Sequence, residues 1–228
     1  MPPPSPLHPA RVLAVEPHVG GLVWVRVEVA PEVAATHRVP GQYVYADVDG
    51  KTGYFALANR EGHGPWEFLL RDAGGASEGL LRKVPGDGLS ISVALGAGFP
   101  VERVRGQPLS VVVTAGAIGA VRAVLAHRVE EGDGARTELY VGTRVRDEVP
   151  LAEELERLGR AGVRVHISLS EETAVSDPGF FAGFVQDQLE RHWDGKTAIF
   201  LAGFPAMLDA VRQIAAAHGS EGLLFFNH

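Results

Sequence analysis

The first half of the chain consists of short segments in which apolar and polar residues alternate. In the segment 22–29, Val23, Val25, Val27 and Val29 recur at every second position, which places them on one face of a strand. Glycine and proline turns separate this segment from five similar ones, and a short helix is predicted over 77–84. The predicted strands lie at 11–15, 22–29, 42–48, 54–58, 66–71 and 89–93. Six short strands joined by turns predict a six-stranded antiparallel β-barrel.

After Leu109 the spacing of the apolar residues becomes helical between short apolar runs. The three valines 111–113 are typical of a strand buried on both faces. Ile118, Val121 and Val124 then recur at the spacing of a helix. Strands are predicted at 109–113, 137–141, 163–169, 197–201 and 223–226, and helices at 118–128, 149–160, 178–192 and 205–218. This alternation predicts a C-terminal α/β domain, a Rossmann-like five-stranded parallel sheet with helices on both faces.

A turn of small residues, 114–117, joins the first strand of this sheet to its helix. Such a strand–turn–helix unit opens nucleotide-binding domains, where the free N–H groups at the helix start bind a phosphate. The full G-x-G-x-x-G fingerprint needs three glycines, and only Gly116 and Gly119 are present. A phosphate site and a plain strand-to-helix connection therefore both stay open. Ligands of such sheets bind at the carboxyl ends of the strands, here 114–116, 142–144, 169–170 and 202–204.

Composition excludes several classes of function. A formal net charge of −7 over 228 residues argues against nucleic-acid binding, which needs a basic face. No run of about 20 apolar residues is present, so no membrane span is predicted. The absence of cysteine excludes disulfides, cysteine nucleophiles and thiolate ligands for a metal or an iron–sulfur cluster. The nine histidines lack metal-binding spacing, so no metal site is expected.

The two patterns also predict how the chain divides into domains. Residues 1–10 lack the basic and apolar regions of a secretory signal, so we expect a flexible tail and a cytoplasmic location. The polar stretch 104–108 separates the alternating pattern from the helical one. The predicted domains are therefore a barrel at 11–104 and an α/β domain at 109–228.

Seven segments, taken in chain order, are similar to the motifs of one known family. Tyr54–Asn59 resembles a strand motif R-x-[YF]-S-[LI]-A, and Leu139–Arg144 resembles L-Y-G-x-R. The other segments are Pro40–Tyr43, Gly75–Ser77, Gly96–Phe99, Phe200–Met207 and Leu224–His228. Together they resemble the ferredoxin–NADP reductase superfamily, in which an FAD-binding barrel precedes an NAD(P)-binding domain.

This resemblance implies a flavin-dependent oxidoreductase that transfers a hydride or electrons between NAD(P)H and a separate acceptor through FAD. The acceptor is expected to be another protein or a small molecule. Such a transfer depends on positioning more than on acid–base groups. The resemblance makes Phe55, Ala56 and His228 the catalytic residues, with Phe55 on one face of the flavin and His228 on the other. Tyr54 and Phe55 point to opposite sides of their strand, so only one of them can face the flavin.

The same resemblance assigns residues to cofactor binding. For FAD they are Phe55, Ala56, Leu57 and Ala58 on the flavin strand, and Gly75, Ala76 and Ser77 at the diphosphate turn. For the nicotinamide nucleotide they are Thr114, Gly116, Thr143, Arg144, Gly203 and Phe204. Arg144 and Arg146 follow the second strand of the sheet and favour a 2′-phosphate, with ordinary surface charge as the alternative; NAD and NADP both stay open.

Several positions depart from the motifs of the family. Gly53 stands where the family has an arginine that meets the FAD diphosphate, and Ala56 stands where it has a serine near flavin N5. Ala115 and Ala117 each add a methyl group where a diphosphate would pass close to the backbone. Ala202 replaces a cysteine. These departures support an alternative, a degenerate member with weak or no cofactor binding that acts as a scaffold or regulatory protein.

Overall fold

The computed structural model describes residues 6–62 and 64–227, which form two compact units. The first unit contains the described residues up to Phe99, together with Gly119–Ala123 and Asn227. The second contains Pro100–Ile118 and Val124–Phe226. The predicted fold class, an antiparallel barrel followed by a Rossmann-like parallel sheet, is confirmed. The domain limits 11–104 and 109–228 stay a prediction.

Six antiparallel strands form the barrel of the first unit, in the sheet order β4-β3-β6-β1-β2-β5. They are β1 (His8–Pro17), β2 (Leu22–Glu28), β3 (Tyr43–Val48), β4 (Lys51–Ala56), β5 (Trp66–Arg71) and β6 (Gly88–Ile91). Strand β1 begins at His8, which lies opposite Ile91 of β6. The expected flexible tail over 1–10 was therefore wrong for 8–10, because these residues pair with a neighbouring strand. Residues 1–5 lie outside the described part of the chain.

Two short helices, α1 (Pro31–Ala34) and α2 (Gly75–Leu81), complete the first unit. The alternation in β2 has the predicted effect, since Val25 and Val27 are fully buried in the barrel core. Trp66 and Phe68 from β5 enter the same core. The core therefore consists of the inner faces of the strands, as expected for a small barrel.

The second unit contains a six-stranded parallel sheet in the order β10-β9-β8-β7-β11-β12. Its strands are β7 (Leu109–Thr114), β8 (Thr137–Thr143), β9 (Arg164–Leu169), β10 (Phe180–Ala182), β11 (Ala198–Ala202) and β12 (Leu224–Phe226). The helices of this part of the chain are α3 (Arg122–Glu130), α4 (Ala152–Arg160), α5 (Val185–His192) and α6 (Pro205–Ala217), and α3 belongs to the second unit from Val124 onward.

One strand more than expected is present, and it lies inside the segment 178–192 that was predicted as a single helix. Phe180–Ala182 pairs with Ile167–Leu169 as β10, and the helix starts only at Val185. Gly179 and Gly183 both have positive φ angles, which ends regular structure on either side of the strand. The aromatic pair in a three-residue strand was too short a signal to separate from the helix that follows.

A buried guanidinium anchors the segment that enters this sheet. Arg128 of α3 is fully buried, and its Nη1 donates to Asp133 Oδ2 at 2.9 Å and to the Val104 carbonyl at 2.7 Å. Its Nη2 donates to the Gln107 carbonyl at 2.6 Å, and its Nε donates to Thr137 Oγ1 at 2.9 Å. A charge can be buried when it is paired and hydrogen-bonded in this way. The network ties 104–107 to the start of β8.

Across residues 6–62 and 64–227, no helix has the length and apolar character needed to cross a membrane. Within the same residues, no group of three or more histidine, aspartate or glutamate side chains is arranged to hold a metal ion.

Candidate functional site

Two of the motif segments interlock in the first unit. The backbone N–H of Phe99 donates to the Pro40 carbonyl at 2.7 Å, and Gln42 Nε2 donates to the Gly96 carbonyl at 3.0 Å. A Cβ atom on Gly98 would lie 2.6 Å from the Pro40 carbonyl oxygen. The glycines of 96–99 are therefore explained by close packing against 40–43. This packing fixes the start of β3, which leads to the candidate flavin surface.

Strand β4 presents Tyr54, and not Phe55, on its outer face. Phe55 is 6% exposed and lies in the barrel core, with its ring centroid 6.0 Å from that of Phe68. Tyr54 is 47% exposed. Its ring makes edge contacts with Tyr45 at 5.2 Å and with Tyr43 at 5.6 Å. The assignment of the flavin-stacking ring to Phe55 is therefore not favoured, since burial leaves that ring no free face.

Ala56 shares the outer face of β4 with Tyr54, because side chains two residues apart point the same way. It is half-buried and lies opposite Tyr43 on β3. The backbone amides that follow are already used within the barrel. Leu57 donates to the Gln42 carbonyl at 2.9 Å, and Ala58 donates to the Glu67 carbonyl at 2.8 Å. The N–H groups of Leu57 and Ala58 are therefore not free to donate to a flavin.

In the expected diphosphate turn, the backbone at Gly74 and Gly75 is unobstructed, whereas the Ser77 side chain is already hydrogen-bonded. Gly74 and Gly75 both have positive φ angles, and a Cβ on either would meet no atom within 4 Å. Ser77 is buried, and its hydroxyl accepts from the Ala73 N–H and donates to the Gly74 carbonyl, both at 2.9 Å. Its hydroxyl therefore caps its own turn. The turn offers a ligand backbone groups rather than the Ser77 side chain.

Gly53 lies on the inner face of β4 against this turn. A Cβ there would lie 3.1 Å from Ala76 Cβ and 3.4 Å from Phe55 Cζ. An arginine at this position would therefore enter the packed core. The methyl group of Ala76 occupies part of the space into which an arginine side chain at 53 would extend. The absence of the arginine is therefore compatible with an alanine at 76.

In the second unit, Thr114 and Gly203 lie side by side at the carboxyl ends of neighbouring strands. Strands β7 and β11 pair, with Val113 opposite Ala202. A Cβ on Gly203 would lie 2.9 Å from Thr114 Oγ1 and 2.6 Å from Met207 Cε. This approach requires a residue without a side chain at 203. Two of the residues predicted to bind the nicotinamide nucleotide thus lie side by side, and their role in binding stays a prediction.

The turn after β7 differs from its prediction in one respect. Ala115–Val121 forms a 3₁₀-helix, and α3 starts only at Arg122. Ala115 is buried, whereas Gly116 and Ala117 are half-buried. Gly119, which belongs to the first unit, would place a Cβ 3.2 Å from Ala58 Cβ. Packing therefore explains Gly119, and only Gly116 remains as a glycine that a phosphate would require.

Phe204 is the residue before helix α6, and it follows directly on Gly203. It is 65% exposed, an unusual position for so large an apolar ring. Ala202, by contrast, is buried in the sheet. The carboxyl end of β11 therefore presents an aromatic ring where the family motif has a proline.

The residues after β8 are held by carboxylates. Thr143 is buried at the strand end. Arg144 donates from Nε to Glu148 Oε2 at 3.0 Å and from Nη2 to Glu148 Oε1. These bonds and the charge of Glu148 raise the pKa of Arg144 above its usual value. Arg146 pairs with Asp177 at 2.6 Å. His228 lies outside the described residues.

Residues 113–213 match the family model of the oxidoreductase NAD-binding domain. The reductase component of a propane 2-monooxygenase from Rhodococcus jostii is 29% identical over 92% of this chain and 60% of its own length. The ferredoxin–NAD(+) reductase component of an alkene monooxygenase system from Xanthobacter autotrophicus is 30% identical over 74% of this chain and 52% of its own length. The chain therefore spans about half to three fifths of these curated relatives.

Solved structures share the whole fold. A ferredoxin–NADP⁺ reductase from Neisseria gonorrhoeae, with bound FAD and NADP, has a TM-score of 0.78 at 16% identity, covering 98% of both chains. The chain has the two-domain fold of the ferredoxin–NADP reductases. The Amycolatopsis cytochrome P450 reductase GcoB has a TM-score of 0.84 at 22% identity, covering 97% of this chain and 70% of that one. The superfamily resemblance seen in the sequence is thus confirmed.

Proposed function

We propose that this chain is a member of the ferredoxin–NADP reductase superfamily, an FAD-dependent oxidoreductase that passes electrons between NAD(P)H and a separate acceptor. The observation that carries the proposal is the contact of Thr114 with Gly203 at adjacent carboxyl ends, within the residues that match the NAD-binding family model. In parallel sheets of this kind the nucleotide binds at that edge. Thr114 and Met207 approach residue 203 so closely that only glycine fits there, which fixes the backbone at this edge.

The first unit fits a flavin on its outer face. Tyr54 supplies a half-exposed ring beside Tyr43, and Ala56 follows on the same face with only a methyl group. Aromatic rings bind a flat apolar ligand by stacking or edge contacts. The diphosphate would be held by the backbone of Gly74 and Gly75, where no side chain obstructs it. The proposal thus moves the stacking role from Phe55 to Tyr54 and keeps Ala56 beside the flavin.

Bound FAD supplies the ability to accept a hydride from a reduced nicotinamide and to release the electrons to an acceptor. The residues of the chain position the ligands and exclude water. Gly203 and Thr114 border the nicotinamide, and the exposed ring of Phe204 covers it from solvent. Acid–base groups are not required for this transfer, which agrees with the apolar character of Tyr54, Ala56 and Phe204.

The acceptor is proposed from the relatives. Those relatives are named as reductase components of propane and alkene monooxygenase systems. A separate protein carrying a redox centre is the corresponding acceptor for this chain, whose sequence contains no cysteine to ligate an iron–sulfur cluster. The location in the cytoplasm stays a prediction.

The test is the visible spectrum of the purified protein, followed by anaerobic addition of NADH or NADPH. A flavin spectrum that is bleached by either nucleotide supports the proposal. A Tyr54→Ala variant should bind FAD about tenfold more weakly, as expected for the loss of an aromatic contact. Leu13→Ala is the matched control, since Leu13 is an exposed apolar residue on β1. A colourless protein whose melting temperature does not respond to excess FAD would overturn the proposal.

The inner side of β4 favours a second candidate, a nucleotide-binding protein without a flavin. There Ala76 closes the space at Gly53, and the Ser77 hydroxyl bonds within its own turn. The side-chain contacts to an FAD diphosphate that the family motif implies are therefore absent at Gly53 and Ser77. Binding of a nicotinamide nucleotide by protein that takes up no FAD would select this candidate.

A further inference from the structure

We infer that the nucleotide edge of the second unit is built for a nicotinamide dinucleotide with a free ribose 2′-hydroxyl, and that it disfavours the 2′-phosphorylated form. This inference rests on the proposed function and deepens it. It concerns the segment after β8, residues 143–148, and the loop 170–178 that packs beside it. In dinucleotide-binding sheets, the residues after the second strand meet this ribose.

The sequence places Arg144 and Arg146 at this point, which on charge alone would favour a phosphate. In the structure both guanidinium groups already have carboxylate partners. Arg144 makes a two-point ion pair with Glu148, through Nε and Nη2. The side chain of Glu148 is only 16% exposed, so this partner is held in place more firmly than a fully solvated one. A phosphate would have to displace it to reach the Nε and Nη2 edge of Arg144.

Arg146 makes two contacts through its guanidinium and one through its backbone N–H. Its guanidinium pairs with Asp177 at 2.6 Å and lies over the Phe180 ring at 4.1 Å from the centroid. Its backbone N–H donates to Glu172 Oε1 at 2.6 Å. The backbone N–H of Glu171 donates to the Arg144 carbonyl at 2.9 Å, which brings a further carboxylate to this edge. The loop 170–178 therefore delivers carboxylates to both arginines.

The charge at this edge is negative in total. The segments 143–148 and 170–178 contain two arginines and five carboxylates, namely Asp147, Glu148, Glu171, Glu172 and Asp177. A 2′-phosphate carries close to two negative charges and would be repelled by this set. A ribose hydroxyl, in contrast, can donate a hydrogen bond to a carboxylate. The same residues thus favour one nucleotide and oppose the other.

The experiment is a titration of the purified protein with NADH and, separately, with NADPH, followed by nucleotide fluorescence. We expect NADH to bind at least about tenfold more tightly, the size of one hydrogen bond to a charged group. The double variant Glu148→Gln, Asp177→Asn frees both guanidinium groups and should bind NADPH about tenfold more tightly than the unchanged protein. Glu190→Gln is the control, since it removes one negative charge from an exposed site on the last turn of α5.

Each outcome decides something different. Tighter binding of NADPH, or a double variant whose preference matches that of Glu190→Gln, would overturn this inference and leave the proposed function standing. Failure to bind either nucleotide would overturn the proposed function, and this inference with it.

Discussion

The ring of Phe99 occupies the space where a side chain on Gly41 would begin. A Cβ atom on Gly41 would lie 2.4 Å from Phe99 Cδ2, and Phe99 is fully buried. Gly41 also has a φ angle of +83°, a region that other residues rarely adopt. The glycine is thus required twice, by its conformation and by the ring. Two segments that resemble family motifs, 40–43 and 96–99, are in this way explained by their packing against each other.

Replacement of this glycine should therefore be costly. Gly41→Ala is expected to lower the free energy of unfolding by about 2–4 kcal/mol, from a strained φ angle and an overpacked core. Urea denaturation measures this. Gly21→Ala is the control, because Gly21 has a φ angle of +70° with no atom within 4 Å of a Cβ. It should cost only about 1–2 kcal/mol. Equal losses for the two variants would contradict the role given to Phe99.

Substitutions of the neighbours Tyr54 and Phe55 should have different effects, one on FAD binding and the other on the free energy of unfolding. Phe55→Ala removes a ring from the barrel core and should lower the free energy of unfolding by about 3–5 kcal/mol. Tyr54→Ala should change it by less than about 1 kcal/mol, since the ring is half-exposed, but should weaken FAD binding. Chemical denaturation and FAD titration of both variants test this. If Phe55→Ala weakened FAD binding and Tyr54→Ala lowered the free energy of unfolding, Phe55 would be the residue that faces the flavin.

Gly203→Ala should weaken the binding of the nicotinamide nucleotide. The new methyl group would lie 2.9 Å from Thr114 Oγ1, so Thr114 must move at the strand end. We expect the affinity for NADH to fall about tenfold or more, as displacements near 1 Å do at binding sites. Gly219→Ala is the control, since Gly219 has a positive φ angle and no atom within 4 Å of a Cβ. An unchanged affinity in Gly203→Ala would show that the nucleotide does not bind at this edge.

His166 should make the second unit sensitive to acid. Its ring stacks on Tyr140 at 4.5 Å and on His192 at 5.3 Å, and burial lowers its pKa below the usual 6.5. Glu138 opposes this shift, while His192 and Arg164 add to it. The folded state therefore holds fewer protons than the unfolded state, and stability falls as the pH drops through 6.5 toward the folded pKa.

His166→Phe keeps a stacked ring and removes the titration. The free energy of unfolding of this variant should fall less steeply than that of the unchanged protein between about pH 7 and pH 5. Some slope should remain, because burial also lowers the pKa of His37. Parallel pH curves for the two proteins would show that His166 has no part in the acid sensitivity.

Replacement of Asp133 should lower the free energy of unfolding strongly. It bonds the buried Arg128, and the N–H of Gly106 donates to it at 2.7 Å, which lowers its pKa. Asp133→Asn leaves a buried charge without its partner, so the free energy of unfolding should fall by about 3–5 kcal/mol. Asp209→Asn, at an exposed ion pair with Arg212, should change it by less than about 0.5 kcal/mol. The contribution of Asp133 should persist down to pH 4 and disappear only below it.

Periodicity predicted most of the fold because burial imposes it. The three valines 111–113 are fully buried in the centre of the second sheet, and Leu155 and Leu158 of α4 face inward as their spacing requires. The missing strand, β10, contains three residues and follows a loop, so too few side chains repeat to reveal it. Patterns identify elements that are long enough to bury a face.

The candidate site was less predictable, because it depends on which face a side chain occupies and on what it meets. The motif alignment favoured Phe55, although cross-strand pairing with Val44 places it in the core. The sequence signal that points to Tyr54 is the alternation of the strand, which puts Tyr54 and Phe55 on opposite faces. The sequence placed Arg144 and Arg146 at this edge but did not reveal their ion pairs, with Glu148 and with Asp177, which lies 31 positions from Arg146. The pairing of Arg146 with Asp177 follows from the fold and is not visible in the local sequence.

The guanidinium of Arg128 decides where this protein can be cut for study. Two of its acceptors are the carbonyls of Val104 and Gln107, upstream of the first strand of the second sheet. A fragment that starts at Leu109, where the change in periodicity suggests a boundary, would keep the cation and lose both oxygens. Fragments for separate expression should therefore begin at Pro100 or earlier.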